Sequence, residues 1–127
     1  MTVVEAETGR CRMRLVVTPM GGDLSIALSG GDAPHIGAVA LAVPHPGLRH
    51  RERTDASVSL LALTGHKEDG LARRIARTFA TAMGCTVCAA CGVHLDNAEA
   101  SEISDILDLA EAMARDALDR IRHGTPA

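Results

Sequence analysis

Three histidines stand in stretches rich in glycine and acid. His35 lies in Gly30-Gly31-Asp32-Ala33-Pro34-His35-Ile36-Gly37, His66 in Gly65-His66-Lys67-Glu68-Asp69-Gly70, and His94 in Gly92-Val93-His94-Leu95-Asp96-Asn97. An imidazole can donate, accept or ligate a metal, and a nearby carboxylate fixes which nitrogen does so. In the first stretch Gly30 and Gly31 permit positive φ or close approach of the backbone to a ligand, and Asp32 can close an Asx-type turn. Pro34 fixes its own φ and holds Ala33 extended, so His35 stands on a stiff base. The plain alternative is a tight turn that happens to hold a histidine.

The second stretch has the form of a strand-to-helix turn. Unpaired N–H groups at the helix start and the charge of Lys67 favour an anion there. Glu68 and Asp69 oppose a phosphate unless a divalent cation sits between them, or unless they accept from ligand N–H groups. Acids in a first helical turn also simply satisfy the dipole. The spaced glycines and Lys-Ser/Thr pair of a Walker loop are missing. In the third stretch, His94 and Asp96 alternate away from a strand end, and Asn97 is a candidate N-cap with Ser101 as competitor. His35, His66 and His94 beside carboxylates also fit a zinc or non-haem iron site, which keeps a metal-dependent hydrolase or lyase open.

Cys85, Cys88 and Cys91 resemble the start of a ferredoxin run, but the fourth cysteine and following proline are absent. On a strand Cys88 points opposite to Cys85 and Cys91, so the three cannot converge and read as small core fillers. Neither a nucleophile elbow nor a dinucleotide-binding glycine fingerprint is present. The basic run Arg49 to Arg53 reads as a solvated hairpin or a docking surface.

The elements that must carry these residues follow from periodicity. Cys11 to Thr18 and Leu24 to Leu28 read as a hairpin around the Met20 to Asp23 turn, Ile36 to Val43 as a buried strand, and Ser57 to Leu63 as a fourth. Pro44 to Ala56 is a long surface connection. Leu71, Ile75 and Phe79, flanked by Ala72 and Ala76, mark one face of a helix over Lys67 to Met83. Cys85 to Val93 is apolar on both sides and belongs in the sheet centre. Ile103, Ile106, Ala110, Met113, Ala117 and Ile121 stripe a final helix from about Ala98 to Arg122, with Glu111–Arg115 and Asp116–Arg120 as surface pairs.

The order is thus β-β-β-β-α-β-α: an α/β (α+β) chain with one mainly antiparallel sheet, a parallel βαβ unit, and helices packed on it. If the first four strands form a meander, Gly30 to His35, Gly65 to Asp69 and His94 to Asn97 share one rim. Residues 1–127 have room for a single domain. Phe79 is the only Phe, Tyr or Trp, so the core is aliphatic and a planar ligand has no aromatic sandwich. A net charge of -3 and the missing aromatics speak against nucleic acid. The longest apolar run, Ile36 to Val43, is too short for a membrane, and no signal peptide is visible, so a cytoplasmic protein is expected.

The stretches GGDAPHIGAVALA (Gly30 to Ala42), GHKEDGLA (Gly65 to Ala72) and GVHLDNAEASEI (Gly92 to Ile103) together resemble the prenylated-flavin chaperone family, the LpdD-type proteins associated with UbiD-type decarboxylases. The resemblance implies a fold like the proteasome-assembly chaperones, a homodimer, and no catalysis by the chain itself. It further implies that reduced prenylated FMN is carried and handed to an apo-decarboxylase. The cofactor-binding residues implied are Gly30, Gly31, Asp32, His35, Gly37, Gly65, His66, Lys67, Glu68, Asp69, His94 and Asp96. A structural assembly chaperone without a small-molecule ligand is the remaining alternative.

Overall fold

The computed structural model describes residues 1–63 and 69–124. Among these the chain forms β1 (Thr2–Thr8), β2 (Cys11–Met20), β3 (Asp23–Gly31), β4 (Ala38–Pro46), β5 (Thr54–Ala62), α1 (Asp69–Met83), β6 (Val87–His94) and α2 (Ala100–His123). The six strands form one sheet in the order β1-β2-β3-β6-β4-β5. Only β3 and β6 pair in parallel; the other four pairings are antiparallel.

Three expectations need correction. An additional strand, β1, precedes the hairpin and pairs with β2 from Thr2↔Val17 to Thr8↔Cys11. Its alternation (TVVEAET) is that of an edge strand, with Val4 buried and Glu5 facing out. The meander is also broken, because β6 enters between β3 and β4. A strand apolar on both sides gains most from neighbours on both edges, and β6 takes the centre. Finally, the Pro44 to Ala56 connection is shorter than expected: β4 and β5 stay paired out to Pro46↔Thr54.

Both helices lie on one face. α1 packs on β4, β5 and β6, while α2 covers β1 and part of β2. The face beneath α1 is built from alanine: Ala38, Ala40, Ala42 and Ala89 are buried below Ala72, Ala76 and Ala80. Small residues on both sides bring helix and sheet close, and Phe79, fully buried, fills the space they leave. Met13, Leu15, Leu28 and Met113 build the other half of the core. Cys91 is buried on the helix side, and Cys88 points to the opposite face, as the alternation requires. Burial pushes the thiols of Cys11 and Cys85 above their ordinary value, so neither is poised as a nucleophile.

The helix ends depart from expectation in detail. α2 is capped by Glu99, which forms a reciprocal capping box with Glu102; neither Asn97 nor Ser101 serves. Asn97 instead adopts φ +53 in the turn before it. Asp116 and Arg120 pair at 3.0 Å, but Glu111 turns away from Arg115 to meet Arg74 of α1 at 2.9 Å. Ile103 is 48% exposed, because the helix begins beyond the edge of the core there. Among the described residues no helix is long and apolar enough to cross a membrane.

Candidate functional site

β3 and β6 end side by side, and their loops are joined as soon as they leave the sheet. The last rung pairs Gly31 with His94. Gly31 has φ +80, where an added Cβ would fall on the His94 carbonyl, so this close passage requires glycine. Beyond it the Asp32 N–H donates to the His94 carbonyl (2.7 Å), and the Asp96 N–H donates to Asp32 Oδ2 (2.9 Å). The expected Asx-type use of Asp32 is therefore directed across to the other loop, not along its own chain.

His35 follows at once. Its backbone passes over Gly92, and its Nδ1–H donates to the Ala33 carbonyl at 2.9 Å. The stiff Ala33-Pro34 base thus fixes the ring as well as the main chain. In a neutral ring this leaves Nε2 as the acceptor. His94 presents Nε2 to Asp96 Oδ1 at 3.0 Å, so this proton is held by a carboxylate. The two rings stand edge to face, with centroids 6.5 Å apart and planes at 76°. A chain of polar groups therefore runs from His35 through His94 to Asp96 along the rim, half exposed to solvent.

Gly37 links this rim to the rest of the sheet. Its N–H donates to Cys91 and its carbonyl accepts from Leu63 N–H, both at 2.9 Å. The end of β5 is thereby drawn to the edge where His35 and His94 sit. Gly65, His66, Lys67 and Glu68 lie outside the described residues. Asp69 opens α1. Among the described residues no group of three His, Cys, Asp or Glu side chains is arranged to hold a metal.

Arg10, in the turn between β1 and β2, was not legible as a site residue, because an arginine in a short hairpin turn carries no motif. Its Nε donates to Glu102 Oε2 (2.7 Å), its Nη2 to the Asp96 carbonyl (2.7 Å), and its Nη1 approaches Asp32 at 3.4 Å. Arg12 and Arg14 were missed for a similar reason: alternation marks them only as outward-facing. They line a cleft of about 290 Å³ with Glu5, Ser29, Gly30, Gly31 and Pro34 on the side of the sheet away from the helices. Arg12 and Arg14 both lie against Glu5, at 3.1 and 3.8 Å, so the cleft carries one net positive charge in excess.

The Arg10 contact and the Glu99 N–H hold the Glu102 carboxyl below its ordinary value of 4.5. A group whose folded value is depressed adds stability above the unfolded value and loses it as pH falls through the folded one. The stability difference between wild type and Glu102→Gln, from urea unfolding at a series of pH values, is expected to be full at neutral pH. It closes as the solution passes below the ordinary glutamate value.

Chemically, the rim can do two things. Glycine backbone at Gly30 and Gly31 offers flat, close contact along the cleft, and His35, His94 and Asp96 offer hydrogen bonds to a polar ring edge. No curated protein matches the chain. A family model does: that of the prenylated flavin chaperone LpdD-like domain matches residues 7–122, from the end of β1 to the end of α2, and the chain belongs to this family.

Proposed function

We propose that this protein binds reduced prenylated FMN at the β3/β6 rim and delivers it to an apo UbiD-type decarboxylase in the cytoplasm, without turnover of its own. The observation that carries the reading is the joining of the Gly30–His35 and His94–Asn97 segments at one edge, with β5 brought to the same edge through Gly37. The residues fit the group. Gly30 and Gly31 line an open cleft with bare main chain, against which a planar ring system can lie, and His35, His94 and Asp96 supply partners for its polar edge. The Arg12–Arg14 cleft, or His66 and Lys67 just ahead of α1 in the sequence, would supply positive potential for a phosphate. A phosphate near Glu68 and Asp69 would call for a divalent cation beside it. The lack of aromatic stacking suits a carrier, since cargo held mainly by hydrogen bonds is released more readily.

The same reading includes a homodimer, and we place the partner copy on the face of the sheet that the helices leave open. Leu41, Val43 and Leu61 are 45%, 46% and 78% exposed, and in the strand register all three project to that face. The partner is placed over β4 and β5, which leaves the Arg12–Arg14 cleft on the β1–β3 half of that face open.

Titration of wild type and His66→Ala with FMN and with oxidised and reduced prenylated FMN tests the reading. Tight binding of the reduced prenylated form is expected, weakened about tenfold by the substitution, as for loss of one charged hydrogen bond. Sedimentation of the same samples should give twice the chain mass. No response to any of the three flavins removes the proposal.

A further inference from the structure

Arg10 reaches the rim from a hairpin that contains none of the glycine-rich segments. The turn that presents it needs Gly9 at φ +55. Its fork meets acceptors on three separate elements: Asp32 after β3, the Asp96 carbonyl after β6, and both oxygens of Glu102 in the first turn of α2. Asp96 is gripped twice, its carbonyl by Arg10 and its N–H by Asp32. With both flanking peptide planes fixed, its carboxylate is left facing His94 Nε2. Asp32, Asp96 and Glu102 would otherwise gather like charge on one edge, and Arg10 is the cation among them.

We propose that Arg10 is the positioning residue of this site: it holds the turn at Asp96, so that the His94–Asp96 pair faces His35 at a fixed separation. The inference rests on the reading that a ligand binds at this rim, but its structural half stands apart from the ligand. The planar fork is what the geometry uses. A lysine ammonium can neutralise the acids without meeting acceptors on three elements in fixed directions.

The test compares Arg10→Ala, Arg10→Lys and Glu102→Ala by three measurements. These are amide hydrogen exchange at Asp96, melting temperature, and affinity for reduced prenylated FMN. Arg10→Ala should speed exchange at Asp96 and weaken flavin binding about tenfold, the loss expected for a charged hydrogen bond. Arg10→Lys should recover only part of that loss. Glu102→Ala leaves the Arg10 bond to the Asp96 carbonyl but frees the fork from α2, so it should lower the melting temperature and weaken binding less than Arg10→Ala does. Arg10→Ala with unchanged Asp96 exchange and affinity, and only a lower melting temperature, would overturn the proposal. If wild type binds no flavin, the flavin reading fails, and exchange at Asp96 alone decides whether Arg10 holds the turn.

Discussion

Gly92→Ala is expected to cost about 2–3 kcal/mol of stability, the range for forced overpacking, and to abolish ligand binding at the rim. Gly92 lies in β6, fully buried, with the His35 main chain directly above it. A Cβ built there falls inside the His35 carbonyl and beside the Gly37 N–H. The neighbour that must yield is backbone, and that backbone is already tied: Gly37 N–H is committed to the Cys91 carbonyl. No rotamer change relieves the clash, so the His35 loop must lift from the sheet. Lifting it breaks the Gly37 bridge to β5 and carries His35 away from His94. Gly22→Ala is the control, since nothing lies within 4 Å of its added Cβ. It should stay within ~0.5 kcal/mol, as surface substitutions do. Urea unfolding and a flavin titration on both variants check the contrast. Equal stability of the two would mean that His35 does not lie over Gly92.

Phe79→Ala is expected to cost about 3–5 kcal/mol, the usual range for truncating a buried phenylalanine. Phe79 is the one large ring of the core and has no exposed surface. The residues around it in the α1–sheet layer are mostly alanines, which have no longer side chain to swing into the void. The cavity therefore stays open, and the cost falls at the upper end of the range. Against a total stability of roughly 5–15 kcal/mol for a domain of this size, such a loss leaves little reserve. Phe79→Leu, which keeps most of the volume, should recover more than half of it. Thermal and chemical unfolding of the three proteins measure this. A loss for Phe79→Ala below about 1 kcal/mol would show that the helix closes on the sheet, and that the alanine layer is more compliant than its packing implies.

The helix α1 stripe at Leu71, Ile75 and Phe79 was legible because a 3.6-residue period survives any tertiary arrangement. The central place of β6 was legible for a related reason: a strand apolar on both faces has only one comfortable position in a sheet with helices on one side. β1 was not. Its apolar row is only Val4 and Ala6, alternating with Glu5 and Glu7, too short to stand out, since an edge strand needs only one buried row. The cap of α2 was misplaced because Asn97 and Ser101 look like better caps than Glu99. The reciprocal bonds between Glu99 and Glu102 are decided by the path of the preceding turn.

By itself the sequence determined the local material of the site: the glycines at 30, 31, 37 and 92, the histidines at 35 and 94, and the carboxylates beside them. Backbone freedom and side-chain chemistry are properties of the residue, so they can be read without coordinates. The common direction of β3, β5 and β6 was expected from a meander that β6 interrupts; the direction holds, but through the pairings of β6 with β3 and β4. Only the tertiary structure decided that β6 lies against β3, that Asp32 spends its carboxylate on the Asp96 N–H, and that Arg10 closes the corner. Those choices depend on long-range contacts such as Asp32 with Asp96 and Arg10 with Glu102, 64 and 92 positions apart. Contacts of that range leave no periodic trace in the chain, because they arise from how whole elements pack and not from the spacing of residues within one.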